Sequence, residues 1–325
     1  MPSLTSPATF GDLITKVYRR VMGGVRERSV SLSAGINNSV TAITLAGAQT
    51  VGIFAGTVLS VDLELIYVVS FNDDSLVAQV LRGWNGSTAD VHSTNATCYV
   101  NPRYSYYDIA VAINDDLKSL SSPTNGLFRV VATKTTIWNP VFQGYDLGDL
   151  PANFIDVLWV RFVEPNAYRR FPYITGYSVD HNNPDAAFPS GQAVFFYEGG
   201  FPGLPLYITY SAPFLPFVSM ADSVTLTPTA NDLAPPFNGY GAVTAVANLA
   251  DTMVDIPPLG AAIQLTLPGE IGRNRMDSQP EPRRGQEVPA GSVANSVAQL
   301  IIQRTQRIME EADRLDRRLQ FPRGW

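Results

Sequence analysis

The stretch from residue 82 to residue 104 constrains the fold most strongly, because it closes a β-rich segment and leads directly into a helix. A strand is predicted over residues 76–81, and it runs into a tight turn that contains Gly83, Asn85 and Gly86. Glycine and asparagine tolerate the positive φ angles that such turns require. A second short strand is predicted over residues 97–100, and Pro102 ends it because proline cannot donate to a β-ladder.

Two helices bracket this β-rich segment in the sequence. Thr9 and Ser105 are each followed three residues later by an aspartate, a capping-box pattern that predicts helix starts at both places. The first helix is predicted over residues 9–22, where Gly23 ends it, and the second is predicted over residues 106–120. We expect the two helices to pack as a pair, with the β-module inserted between them.

The first domain is predicted to span residues 1–125, with its β-module at about residues 29–101 and its returning helix at about 105–121. Apolar and polar residues alternate from residue 59 to residue 65, a period of two that is typical of a strand. Shorter apolar runs separated by Asn, Asp and Gly flank it. Four to six short strands at this spacing predict a small barrel or sandwich.

A second β-domain is predicted over residues 126–222, with strong strands at 128–136, 154–163, 194–197 and 206–210. A sandwich or jelly roll suits this spacing. Aromatic residues are dense in this part of the chain, and a sugar-binding platform would also use them. Most of them lie inside strand patterns, which favours core packing. They are Trp138, Phe142, Trp159, Phe162, Phe195, Phe196, Tyr197, Tyr207 and Tyr210.

The remaining segment, residues 223–325, is predicted to contain short helices near 242–254 and 259–267, a polar linker at 268–291 and a long helix at 292–319. We expect the long helix to pack partly on a neighbouring subunit or partner, and packing on its own chain is the alternative. The predicted fold class is α+β, with two small antiparallel β barrel or sandwich modules, flanking helices and a long C-terminal helix. The apolar stripe of that helix comprises Val293, Val297, Ile301, Ile308, Ala312, Leu315 and Leu319.

Charged residues make up only 16% of the chain, against about 25% in typical proteins, which indicates surfaces that are covered by partners. The net charge of −6 disfavours a sequence-reading DNA-binding protein. Lys16, Arg19 and Arg20 form a basic group near the end of the first helix, which could contact an acidic partner or DNA or simply be solvated. Cys98 is the one cysteine, so it has no intramolecular disulfide partner. We find neither a signal peptide nor a membrane-spanning run and expect a soluble, cytoplasmically made protein.

The sequence offers no catalytic, cofactor-binding or metal-binding motif, so we expect neither an enzyme nor a cofactor. His92 is predicted to be structural or exposed, and His181 lies in an Asp/Asn-rich turn without the spacing of a calcium loop. Asp73-Asp74 is assigned to a polar turn and Asp115-Asp116 to the exposed side of a helix, so neither pair predicts a glycosidase. Zinc spacing, a phosphate-binding glycine loop and a nucleophile elbow are missing from the sequence.

Two separated stretches carry a resemblance to a known family. The first is Arg82-Gly-Trp-Asn-Gly-Ser-Thr-Ala89 with His92 and the exit Tyr99-Val-Asn-Pro-Arg-Tyr104, and the second is Asp255-Ile-Pro-Pro-Leu-Gly-Ala-Ala262, with Gln286-Glu-Val-Pro-Ala-Gly291 and Arg307-Ile-Met-Glu-Glu-Ala-Asp-Arg-Leu315. These stretches resemble the neck, or head-to-tail connector (adaptor), proteins of tailed bacteriophages.

The resemblance implies a structural virion protein that forms a ring, by family likeness a dodecamer, between the portal and the tail. Its partners would be its own copies, the portal protein, and tail or other neck proteins. Genomic double-stranded DNA would pass nearby without being read, and no membrane would be involved. The protein would be assembled in the host cytoplasm and reside in the virion neck. A minor tail, baseplate or fibre-attachment protein is the alternative, and a carbohydrate-binding β-module is a weaker one.

Overall fold

The computed structural model describes residues 9–121, 130–139, 144–148, 156–162, 172–197, 202–224, 253–277 and 292–319. The fold is mixed α+β with antiparallel sheets, as the sequence predicts at that level. The described residues fall into two compact units. The first unit contains residues up to 117, residues 216–224 and the described residues after 251, and the second lies within residues 118–215.

The first helix of the first unit, α1, spans Phe10–Met22 and begins at the predicted capping box. The Asp12 amide donates to Thr9 Oγ1 at 3.3 Å, and the Thr9 amide donates to Asp12 Oδ2 at 3.1 Å. Gly23 ends the helix in the left-handed region at φ 57°. The prediction of this helix and of both its ends is therefore confirmed, and its buried face comprises Phe10, Leu13, Ile14 and Val17.

Six strands follow and close into a barrel in the order β1-β2-β5-β4-β3-β6, with every neighbouring pair antiparallel. They are β1 Ser29–Leu32, β2 Ala42–Ala46, β3 Val58–Val61, β4 Glu64–Asn72, β5 Val77–Leu81 and β6 Thr97–Val100. The interior is a cluster of aliphatic side chains together with Cys98, which is fully buried. Burial raises the pKa of the Cys98 thiol to about 12, so it is an unreactive core residue.

The predicted single strand over residues 59–65 is wrong in one respect, because a hairpin turn interrupts it. Asp62 and Leu63 form that turn, and Asp62 has φ 49°. Val61 lies directly opposite Glu64 in the register of β3 and β4. Directly opposite residues of an antiparallel pair share a face, so Glu64 points inward beside the core residue Val61 instead of toward solvent.

Three more helices belong to the described part of the first unit. The predicted box at Ser105 caps α2, Tyr106–Leu120, with Ser105 Oγ donating to Asp108 Oδ2 at 2.6 Å. Helix α3, Ile256–Asp277, begins at the predicted Pro257-Pro258 pair and extends into the segment that the sequence assigns to a linker. It packs against α1 and against α4, Ser292–Leu319. Its first two turns, residues 256–262, are buried on all sides, so α3 is the central helix of this layer.

The second unit contains two antiparallel sheets, one of order β10-β9-β13-β7 and one of order β11-β12-β8. The four strands predicted there are present, and three short ones were not predicted. Core side chains come from both sheets, and Trp138 and Phe196 meet in it with ring centroids 5.4 Å apart. Tyr197, in contrast, is 75% exposed. The strands are β7 Val130–Ile137, β8 Gly144–Asp146, β9 Asp156–Phe162, β10 Tyr173–Ile174, β11 Tyr177–Asp180, β12 Ala193–Phe196 and β13 Pro205–Ala212.

Candidate functional site

A buried carboxylate organises one end of the barrel. Glu64 begins β4, and its side chain is fully excluded from solvent. The Arg82 guanidinium binds it in a bidentate manner, with Nε 2.6 Å from Oε1 and NH2 2.7 Å from Oε2. Paired, parallel hydrogen bonds of this kind are among the strongest that side chains make. Arg82 therefore neutralises the charge of Glu64 inside the barrel.

Three further donors complete the coordination of Glu64. The Gly83 amide donates to Oε1 at 3.0 Å, and the Asp90 amide donates to Oε2 at 3.1 Å. His92 Nε2 lies 2.8 Å from Oε2, while its Nδ1 lies 3.0 Å from Asp62 Oδ2. An imidazole that faces carboxylates on both sides donates from both nitrogens only when protonated. We call Asp62, Glu64, Arg82 and His92 the ionic clasp.

Gly83 and Ser87 are required in the loop after Arg82, the first for steric reasons and the second for its hydrogen bonds. Gly83 has φ 61°, and a Cβ there would lie 3.0 Å from the Ser87 carbonyl oxygen. Ser87 Oγ accepts from the Leu65 amide at 2.9 Å and donates to the Trp84 carbonyl at 2.8 Å. Trp84 stacks on Tyr67 of β4 with ring centroids 4.5 Å apart. The loop over residues 82–92 is thus fixed against the β3–β4 hairpin.

The remaining donors of Arg82 tie this loop to a third segment. Its NH1 donates to the Asn37 carbonyl at 2.5 Å, and its NH2 donates to the Asp90 carbonyl at 2.6 Å. An isolated bridge between Ile36 and His92 runs alongside. One guanidinium therefore joins the β1–β2 connection, the β3–β4 hairpin and the loop after β5, which makes the clasp a structural element.

The clasp shifts the pKa values of its members in opposite directions. Burial disfavours the charged Glu64, but hydrogen bonds from His92, Arg82 and two amides outweigh it and lower the pKa of Glu64 from 4.5 to about 2. Burial likewise disfavours protonated His92, but hydrogen bonds to Asp62 and Glu64 raise its pKa from 6.5 to about 9. His92 is therefore a buried, charged, structural histidine at neutral pH. The alternative prediction from the sequence, that His92 is exposed, is wrong.

The stability of the barrel should fall between pH 6.5 and about 9. The folded pKa of His92 is raised, so its contribution is complete below pH 6.5 and is lost as pH rises through about 9. The difference between the unfolded and folded pKa of His92 corresponds to about 3 kcal/mol in the free energy of unfolding. Urea unfolding across this range measures it. His92→Gln should flatten the dependence, whereas His181→Gln should preserve it, and an unchanged slope in His92→Gln would contradict the assignment.

A second ionic group lies in the helix layer. Asp116 of α2 is buried, while its neighbour Asp115 is exposed, so the expectation that both lie on the exposed side is wrong for Asp116. Asp116 Oδ1 lies 2.8 Å from Arg304 NH2 of α4. Burial raises the pKa of Asp116 to about 6, although Arg304 opposes the shift. The pair remains ionised at neutral pH.

Charged residues continue along the inner face of α4. Arg307 binds Asp255 with Nε 2.8 Å from Oδ2, and it also pairs with Glu310 and Glu311. Glu311 is only 4% exposed. We call Asp116, Asp255, Arg304, Arg307 and Glu311 the charged seam.

The exposed side of α4 carries several large apolar side chains beside polar ones. Ile301, Ile302 and Met309 are 47%, 55% and 62% exposed, and Ala298 is exposed beside them. At 100° per residue these four side chains fall on one arc, which we call the outer face of α4. Ile301 of the predicted stripe is exposed in the single chain, while Val297 of the same stripe is buried.

The other residues considered from sequence lie in turns. Asp180 accepts hydrogen bonds from the Asn182 amide and the Asn183 side chain beside His181, and Asn72 accepts from the amides of Asp74 and Ser75. Within the described ranges, no group of three His, Cys, Asp or Glu side chains could hold a metal ion. Glu64, the centre of the clasp, was missed in the sequence, although a lone glutamate in an apolar run was a usable signal.

Over the described part of the chain, no helix combines the length and apolarity needed to cross a membrane. Neither a family model nor a curated protein matches the chain.

Proposed function

We propose that this chain is a non-enzymatic structural protein of a tailed-bacteriophage virion, a subunit of the neck or adaptor ring between portal and tail. The family resemblance of two separated stretches motivates the proposal. In this proposal, the finer architecture is two β-modules with flanking helices and a long C-terminal helix that meets a neighbouring subunit. Its partners are other copies of the chain, the portal and tail or neck proteins, with genomic DNA passing nearby.

The observation that carries the proposal is the outer face of α4. An exposed surface of Ile301, Ile302 and Met309 is costly in water, because burying such side chains contributes about 25 cal/mol per Å². The same helix places Arg304, Arg307 and Glu311 against its own unit. A helix that exposes large apolar side chains in this way is suited to packing against a second protein chain. A ring offers that cover, because heterologous contacts that close bury the same surface in every subunit.

The low charge content and the ionic clasp agree with a structural role. Only 16% of residues are charged, which suits surfaces that lie in interfaces. The clasp engages both carboxylate oxygens of Glu64 in fixing a loop and leaves no general base exposed there. Rigid attachment of the loop over residues 82–92 presents Trp84, which is 39% exposed, in a fixed position. An assembly protein needs such fixed surfaces.

Two added charges on the outer face of α4 should prevent assembly without unfolding the chain. We expect the unmodified protein to form rings by light scattering and electron imaging, alone or on the portal, and Ile302→Glu/Met309→Glu to remain monomeric. Gln299→Glu/Gln303→Glu is the matched control, because it adds equal charge at exposed positions on another side of the same helix. Circular dichroism checks folding. A parent protein that stays monomeric with and without portal would contradict the proposal.

The alternatives give different results in the same experiment. A carbohydrate-binding module should remain a monomer and bind glycans through exposed aromatics such as Tyr197. A minor tail, baseplate or fibre-attachment protein should assemble with tail components and not with the portal. Imaging of labelled protein in particles separates the neck from the distal tail.

A further inference from the structure

A cleft with an unusual charge lies at the end of the barrel opposite the ionic clasp. It has a volume of about 410 Å³, and residues 25–28, between α1 and β1, form one wall. Most of the rest is formed by Val51, Gly52 and Phe54, by Val100 at the end of β6, and by Asn101 and Arg103 after it. All of these residues belong to the first compact unit. Three of the lining side chains are the arginines Arg26, Arg28 and Arg103.

The positive charge of this cleft is concentrated in an acidic protein. Residues 16–28 carry five basic side chains and one acidic one, whereas the whole chain has a net charge of −6. The acidic one, Glu27, also lines the cleft, where Oε1 accepts from the Arg103 amide at 2.7 Å and Oε2 accepts from Tyr18 at 3.1 Å, so the three arginines exceed it in charge. Within the described parts of the chain, no carboxylate forms an ion pair with Arg26, Arg28 or Arg103.

Apolar and aromatic surface accompanies these guanidinium groups. Phe54 is 62% exposed and Val25 is 65% exposed at the cleft. Arg103 lies over the Tyr104 ring at 5.3 Å from its centroid. Proteins that bind nucleic acid strands combine positive grooves with aromatic faces on which bases stack. We propose that this cleft binds the phosphodiester backbone of a nucleic acid, with Arg26, Arg28 and Arg103 contacting phosphates and Phe54 contacting a base or sugar.

The chemistry of the cleft favours a nucleic acid over an acidic peptide. Guanidinium groups recognise both carboxylates and phosphates. An exposed phenylalanine beside them favours a ligand that carries flat rings next to its negative charges, and a nucleic acid strand has that alternation. Contacts of this kind are independent of base sequence and rest on the local positive charge of the cleft. The site does not require the ring, so its test is separate from the test of assembly.

Fluorescence anisotropy of the full chain tests the proposal, with short labelled single-stranded and double-stranded DNA over a series of salt concentrations. Arg26→Gln/Arg28→Gln should weaken duplex binding at least about tenfold and reduce the slope of log K against log salt by about 1.8, because each phosphate that is no longer neutralised lowers it by about 0.9. Lys118→Gln/Lys134→Gln removes equal charge at positions that do not line the cleft, and it should leave the duplex affinity and the salt slope unchanged. Arg26 and Arg28 are exposed, and thermal melting confirms that the variants fold.

Two further measurements decide the ligand class. Phe54→Ala should weaken single-stranded DNA binding at least about fivefold and duplex binding less, because only an unpaired base can stack on the ring. A polyglutamate peptide of matched charge, or inorganic phosphate, should compete poorly. Equal competition by polyglutamate would replace the proposal with an acidic protein partner, and equal competition by inorganic phosphate would reduce it to a free-phosphate site. An unchanged salt slope in Arg26→Gln/Arg28→Gln would overturn it.

Discussion

Replacement of Arg82 by methionine is expected to destabilise the barrel by about 3–5 kcal/mol, the cost of removing one partner from a buried ion pair. Methionine keeps most of the aliphatic length of arginine but removes the two bonds to Glu64, which lie at 2.6 and 2.7 Å. The Glu64 carboxylate would then remain in a dry site with His92 as its one charged partner. The carbonyls of Asn37 and Asp90 would also lose their donor.

Hydrogen exchange measured by mass spectrometry is the suitable readout, because it resolves the barrel from the rest of the chain. Peptides that cover residues 58–72 and 76–100 should exchange faster in Arg82→Met by a factor that corresponds to the decrease in the free energy of unfolding. Arg19→Met is the control, since Arg19 lies exposed on α1 and the substitution is identical. Equal protection of the barrel in both variants would show that the clasp adds little stability.

The sequence predicts those features of the fold that depend on neighbouring residues. The capping boxes at Thr9 and Ser105 place two helix starts correctly, because each box joins side chains only three residues apart. Gly23 ends α1 for a similarly local reason, its left-handed backbone conformation. The strands β5 and β6 on either side of the loop over residues 82–92 are also as predicted.

The ionic clasp escaped prediction because its bonds join distant parts of the sequence. Glu64 meets Arg82 across 18 positions and His92 across 28. The alternation over residues 59–65 continues through the turn at Asp62, and without a glycine there the hairpin looks like one strand. A shift of one residue in a strand reverses every side chain. One unbroken strand would place Glu64 on the polar side of this alternation, but the turn places it inside.

The charged seam could not be predicted from the sequence of α4 alone. Hydrophobic periodicity assigns the apolar side of a helix to the interior, but α4 places Arg304 and Glu311 inward and Ile301 outward. The partners that make this arrangement stable, Asp116 and Asp255, lie on other elements. A single helical pattern contains no information about such partners, so the charged seam becomes visible only in the folded chain.

Gly260→Ala is expected to destabilise the helix layer by about 3 kcal/mol, although alanine is normally the better helix former. A Cβ at Gly260 of α3 would lie 1.8 Å from Asp116 Oδ1, the atom that binds Arg304 at 2.8 Å. The carboxylate would have to move, and the crowding and the broken buried ion pair each carry a cost. Glycine is therefore required at this position by the neighbouring carboxylate.

Removal of that carboxylate should reverse the sign of the effect. In an Asp116→Ala background the added methyl group meets no carboxylate, and Gly260→Ala should stabilise α3 by up to about 1 kcal/mol through helix propensity. Denaturant unfolding of the four proteins in this double-mutant cycle measures the coupling. Gly11→Ala in α1 is the control, because its Cβ would lie 3.2 Å from the flexible end of Met220 and 3.3 Å from its carbonyl oxygen, a much milder approach than at Gly260. If Gly260→Ala cost the same in both backgrounds, the contact with Asp116 would not explain the glycine, and the close packing of α2, α3 and α4 around the charged seam would need another cause.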